Sequence, residues 1–281
     1  MSKVEATMRA SVGDRLFEFA VQFGFIVGAA LLYFGVRGLT EGSEAIAVAN
    51  GLDLLAFERA IGVAVEAELQ HLILDHRWAV TAANWVYIWG HWPAIAATLV
   101  WLHRTRRFDY LLLRNALFVS GAIGLVIFVM HPVAPPRLLP SGFTDTVTEL
   151  SASYRVLQPP SLVNKYAALP SLHVGWNLLI GLALVRTRAN WLVRTVGMLS
   201  PLAMAAAVVL TGNHYLIDAL AGAVVALTGL AVSYAVTPKL AMRPVVRHRL
   251  TPAGVAPAPF TAVRADLADR PYQPRSTHSW R

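Results

Sequence analysis

The sequence predicts an all-α fold: a polytopic membrane protein built as a six-transmembrane-helix bundle, with a helical segment on its outer surface. Three observations carry this. The 281 residues are 56% hydrophobic and only 14% charged. Several apolar runs approach the roughly 20 residues that a helix needs to cross a hydrocarbon core of about 30 Å. The formal charge of +8 is gathered into the short segments between those runs and into the C-terminal tail. There is no cysteine, which excludes disulfides and thiolate metal centres.

Residues 1–15 read as a short polar lead, expected on the cytoplasmic side, with Lys3, Arg9 and Arg15. The apolar run 16–36 follows these cations as a signal sequence would. Its length, its Glu18 and Gln22 and the lack of a small-residue cleavage site make it a retained first span. Residues 41–75 carry Glu41, Glu44, Asp53, Glu58, Glu66, Glu68 and Asp75, too many charges for a crossing. Leu54, Leu55, Ile61, Val65, Leu69 and Leu72 recur at helical spacing and would form an apolar stripe. One or two surface helices are expected here, either roofing a site or packing blandly on the bundle.

Further spans are expected at 79–101, 110–131, 170–186, 191–211 and 214–236. The fourth is short and starts near His173. Between the third and fourth, Pro132, Pro135, Pro136, Pro140, Pro159 and Pro160 rule out a continuous helix and fix the direction of the loop. The membrane-embedded domain therefore covers 16–236. Residues 237–281 are basic, proline-rich and without apolar periodicity, as expected of a disordered cytoplasmic tail, solvated or resting on anionic headgroups.

Charge placement orients the bundle. Arg104, Arg106 and Arg107 follow the second span, and Arg186, Arg188 and Arg194 lie between the fourth and fifth. With both termini cytoplasmic, these clusters and the tail fall on one side, as the positive-inside rule requires. The outward loops then bring His173, His214 and Arg137 to a single level, although they lie far apart in the sequence.

Those residues carry the chemistry. His214 opens the sixth span, and Asp218 follows one turn later on the same face. A carboxylate there can hold one imidazole nitrogen and leave the other to attack phosphorus; the same spacing also serves a purely structural His–Asp pair. The N–H groups at that helix start favour an anion such as phosphate. His173 follows Pro170-Ser171, a helix start with a capping residue, and can act as acid and base or as an interfacial anchor. The N–H groups of Ser171 and Leu172 are candidates to cradle phosphate oxygens. Arg137, after Ala134-Pro-Pro, suits bidentate phosphate binding, and Lys165 is a second cation within reach. Arg137 also reads as an interfacial arginine reaching for headgroups, and Lys165 is the weaker phosphate candidate of the two. His91 reads as a packing or hydrogen-bonding residue, and Arg114, near the cytoplasmic end, as an arginine that snorkels.

Pro170-Ser-Leu-His173 and Gly212-Asn-His-Tyr-Leu-Ile-Asp218 resemble the second and third signatures of the type-2 phosphatidic acid phosphatase superfamily. Asn164-Lys-Tyr-Ala-Ala-Leu-Pro-Ser-Leu-His-Val-Gly175 and Ala134-Pro-Pro-Arg137 are similar to its inositolphosphotransferase-like branch, which includes inositol phosphorylceramide synthases. The resemblance implies that His214 is the nucleophile, Asp218 its orienting partner and His173 the acid/base, with no metal or other cofactor. The implied partners are a lipid phosphate, a water or alcohol acceptor and membrane lipids, with no nucleic acid. Leu172 stands where the common signature has glycine, Ala207 and Val208 replace a Ser-Arg pair, and Met130 falls where a lysine is usual. The expected activity is a lipid-phosphate phosphatase or phosphotransferase working through a phosphohistidine at the outer face. The alternatives are a non-catalytic lipid-phosphate transporter or scaffold, and a metal-dependent hydrolase. Nothing in the sequence encodes an oligomeric state.

Overall fold

The computed structural model describes residues 12–39, 42–140, 142–150, 164–187 and 189–241. They belong to a unit that spans residues 1–243. The basic tail and most of the N-terminal lead lie outside the described residues, as does the stretch 151–163 with Pro159 and Pro160.

Ten α-helices are described, and among the described residues there is no strand, only a parallel β-bridge between Val133 and Ala167. The helices are α1 (Val12–Leu39), α2 (Glu44–Ala60), α3 (Glu66–Leu74), α4 (Arg77–Trp89), α5 (Trp92–Thr105), α6 (Arg107–Met130), α7 (Thr146–Leu150), α8 (Leu172–Arg186), α9 (Trp191–Leu210) and α10 (Leu216–Ala241). Four of them contain runs long and apolar enough to cross a membrane: Leu16–Val36, Arg107–Met130, Trp191–Leu210 and Leu216–Pro238. Large apolar side chains stand exposed along these helices, among them Phe17, Phe25, Leu32, Leu199, Leu202 and Leu220. Lipid accepts such a surface and water does not.

The other two expected spans differ. The run 79–101 is not one helix, because the chain breaks at Gly90-His91 into α4 and α5. Pro93 lacks the N–H that a continuing helix needs, and it sits in the first turn of α5 where that loss costs nothing. The expected span 170–186 is a helix of 15 residues, shorter than a perpendicular crossing needs.

The most extensive packing joins α6 to α10, α8 to α9 and α8 to α10. Small residues let the axes close: a Cβ on Gly175 would lie 2.4 Å from the Gly222 carbonyl oxygen, and one on Gly222 would lie 2.0 Å from that of Ser171. Several buried polar groups are paired across the helices. Trp176 Nε1 donates to Ser120 Oγ (3.0 Å), and Ser233 Oγ to the Leu112 carbonyl (2.7 Å). Arg114, expected to snorkel, has partners within the bundle. It is half-buried, donates to Gln22 of α1 and to Asn115 Oδ1 (2.7 Å), and so ties the first helix to α6.

Residues 41–75 contain two helices, and the expected stripe is buried only in part: Leu55 is buried and Leu54, Val65 and Leu69 are half-buried. Ile61 and Leu72 are exposed, whereas Ala47, Gly51, Leu55 and Glu58 of α2 and Glu66 and Gln70 of α3 face inward. A period of 3.6 residues locates a face; here polar groups with partners in the bundle decide which face turns in.

Candidate active site

Three loop segments meet at one end of the bundle. Val133 N donates to the Tyr166 carbonyl (2.8 Å), and Ala168 N to that of Val133 (3.2 Å), joining 131–137 to 164–170. Arg137 N donates to the Gly212 carbonyl (2.9 Å), which brings in the turn before α10. Gly212 makes that turn at φ +67°, a conformation open to glycine and strained for other residues.

The cavity between these segments has an empty volume of about 610 Å³, and His91, Arg137, Lys165, Leu172, His173 and His214 are among its lining residues. His173 and His214 face one another with ring centroids 5.9 Å apart. Both can therefore reach a single phosphoryl group. Two acceptors converge on His214 Nδ1: the Ala168 carbonyl at 2.8 Å and Asp218 Oδ2 at 3.4 Å. Nδ1 must carry the hydrogen to satisfy them, and in the neutral ring Nε2 is then the nitrogen with the free lone pair. The carbonyl, invisible to spacing arguments, is the nearer partner. Asp218 is fully buried and does not line the cavity; it also accepts from Tyr215 N (3.1 Å).

His173 stacks on Tyr87 (centroids 4.4 Å apart, 18° between planes) and packs on His91 (4.1 Å). Asn177 Nδ2 reaches both the His173 carbonyl (2.9 Å) and His91 Nδ1 (3.5 Å). The helix break thus places His91 in the cavity wall, a position its reading as a packing or hydrogen-bonding residue did not specify. Gly90-His-Trp-Pro93 held the signal, since a proline three residues after a glycine can end one helix and start another.

Other expected residues fall less simply. Ser171 caps α8 by accepting from Val174 N (3.4 Å). It does not line the cavity, and its own N–H is committed to the Asp218 carbonyl at 2.9 Å. Leu172 lines the cavity, and Lys165 does so as an exposed cation. Arg137 is already engaged: Nη1 pairs with Asp145 Oδ2 (2.7 Å), and Nε donates to Asn213 Oδ1 (2.9 Å). Its other N–H donors are left for a ligand. The N–H groups at the start of α10 are also occupied, because Leu216 N donates to Glu66 Oε1 (2.9 Å) and Ile217 N to Glu58 Oε1 (2.8 Å). The expected anion cradle at that helix end is filled by the protein's own carboxyl groups. Ala207 and Val208, in place of Ser-Arg, are buried core. Among the described residues no group of three or more His, Cys, Asp or Glu is placed to hold a metal ion.

Beside the cavity runs an apolar groove with an empty volume of about 800 Å³, between α1, α5, α6 and Trp176 of α8. Ile26, Ile95, Leu117 and Leu125 line it, and it shares Tyr33 and Trp92 with the histidine-lined cavity.

A family model described as the PAP2 superfamily matches residues 52–232. No curated protein and no solved structure gives a significant match.

Proposed function

The chain belongs to the PAP2 superfamily, and from that premise we propose that it is a lipid-phosphate phosphatase or phosphotransferase working through a phosphohistidine on His214. The observation that carries the reading is the pairing of His173 and His214 across one cavity, with both acceptors on the Nδ1 side of His214. Nε2 of His214 attacks phosphorus as the ester P–O bond breaks, and His173 gives its proton to the departing oxygen. Asp218 and the Ala168 carbonyl hold Nδ1–H and support the positive charge that develops on the ring. Water or an alcohol then attacks the phosphohistidine, His173 takes the incoming proton, and the P–N bond breaks. Arg137 and Lys165 meet the phosphoryl oxygens, with Leu172 in the cavity wall.

A single lipid tail lies in the groove that adjoins the cavity at Tyr33 and Trp92. Its apolar lining matches a hydrocarbon chain, and its size is that of a ligand site. The likeness of residues 164–175 and 134–137 to the inositolphosphotransferase-like branch favours an alcohol acceptor. The site faces outward, with both termini cytoplasmic. Arg104, Arg106, Arg107, Arg186 and Arg194 support that orientation, because they flank the helix ends remote from the cavity.

The test is product analysis with the purified chain, offered phosphatidate and phosphatidylinositol with ceramide and inositol present. Free phosphate formed by the wild type and not by His214→Ala identifies a phosphatase, and a new phosphodiester identifies a transferase. Identical products from the two proteins overturn the catalytic reading and leave a carrier or scaffold. Activity that persists in strong chelator excludes a metal-dependent hydrolase.

A further inference from the structure

We propose that Glu58 and Glu66 form a proton-sharing carboxyl pair that closes the N-terminus of α10 and thereby positions His214 and Asp218 for reaction. The inference rests on the reading of His214 as nucleophile. Both are positioning residues, since neither lines the cavity.

The geometry is unusual for two glutamates. They come from different helices, α2 and α3, and are 0% and 1% exposed. Each spends one oxygen on a backbone amide of the first turn of α10. With Asp218 Oδ2 on Tyr215 N, three successive amides at 215, 216 and 217 end on three carboxyl groups. Helix N-termini leave such amides unpaired and attract negative charge. Here that requirement draws two surface-type helices onto the segment bearing the nucleophile.

The second oxygens, Glu58 Oε2 and Glu66 Oε2, are both buried without another partner. The amides they cap, Leu216 N and Ile217 N, are consecutive, so the two carboxyl groups are neighbours. Two adjacent buried carboxylates cannot both stay ionised, whereas one proton between them satisfies both orphaned oxygens. Among the described residues no lysine or arginine forms an ion pair with either. The titratable groups that bear on the pair are Asp218 and Tyr215, and Arg59, its neighbour on α2, is exposed. Burial, with Glu66 and Asp218 nearby, pushes the Glu58 carboxyl up to about 8. Glu58 therefore holds a proton at neutral pH. Losing it places a further anion beside Asp218 and pushes apart the turn that carries His214. The proton is held throughout and takes no part in the transfer.

The sign for stability follows. A carboxyl group whose value is raised by folding binds more protons folded than unfolded between its ordinary value and about 8. Its contribution is complete below that window and is lost as pH rises through it.

The test is turnover of the full chain in detergent, from about pH 6 to about pH 10, for wild type, Glu66→Ala and Glu66→Gln, with His214→Ala as control. We expect wild-type kcat to fall above about pH 8. Glu66→Ala should lower kcat about tenfold or more with KM changed less than about threefold. Glu66→Gln, whose amide N–H replaces the shared proton permanently, should recover turnover that Glu66→Ala loses and shift the alkaline fall by more than about one pH unit. An alanine variant with wild-type kcat and pH profile overturns the proposal, as does a glutamine variant with the wild-type alkaline fall. Should the alanine variant fail to fold, infrared absorption decides. The wild type should show a protonated-carboxyl C=O band near neutral pH that is bleached at about pH 10 and missing from the Glu58→Gln/Glu66→Gln double variant; a band unchanged in that variant overturns the pair. The infrared result stands even if His214→Ala is fully active, so failure of the pair and failure of the catalytic reading can be told apart.

Discussion

At the scale of single residues, His214 owes its tautomer to two acceptors, and they differ in what they contribute. The Ala168 carbonyl at 2.8 Å fixes ring orientation, while the carboxylate at 3.4 Å adds the charge that stabilises an imidazolium. Asp218→Asn keeps the ring in place through the carbonyl and removes the charge. Its kcat should fall by about two to four orders of magnitude with KM little changed, measured by steady-state turnover. A fall below about threefold would assign catalysis to the carbonyl instead. The histidines and this aspartate were legible because motif spacing encodes them. Ala168 was not, since a backbone carbonyl leaves no trace in the sequence. Glu58 and Glu66 were read only as charges that forbid a crossing; their helix-capping role depends on contacts 159 and 150 positions away.

At the scale of elements, the site is held by how closely α8 and α10 approach. Ser171 N donates to the Asp218 carbonyl (2.9 Å), so the cap of one helix is bonded to the first turn of the other. Gly222 leaves room for that contact, with no space for a methyl group against the Ser171 carbonyl. Gly222→Ala should lower the thermal midpoint and reduce turnover together, by overpacking worth about 1–3 kcal/mol, measured by thermal unfolding in detergent. Lost turnover at an unchanged midpoint would point to a direct role in the site. The helices at 16–36, 110–131, 191–211 and 214–236 were legible from length and hydropathy. The break at Gly90-His91 was not, because the apolar run continues through it and only the proline marks a possible boundary.

At the scale of the whole molecule, the polar cavity and the apolar groove meet at Tyr33 and Trp92. An amphiphile laid along that path puts its phosphate between the histidines and its chain against α1 and α6. Ala122 lines the groove and lies outside the catalytic set. Ala122→Trp should raise KM about tenfold for a long-chain lipid phosphate and leave a short-chain analogue within about twofold, compared side by side in mixed micelles. Equal effects on both would place the tail elsewhere. Hydropathy marked α1 as a span but could not assign it to a wall of this groove, since that needs the partner helix as well as the period.

The occupied amides at the head of α10 bear on how the reaction ends. An enzyme that cradled phosphate on a ring of helix-end amides would grip the released inorganic ion about as firmly as the ester it came from. Here those donors are spent on Glu58, Glu66 and Asp218, and Arg137 already shares its charge with Asp145. The phosphate is then left to Lys165 and the remaining donors of Arg137, and the hydrocarbon portion adds a hold that the free ion lacks. Inorganic phosphate would consequently be a poor product inhibitor, and a phosphate-rich medium would do little to slow turnover.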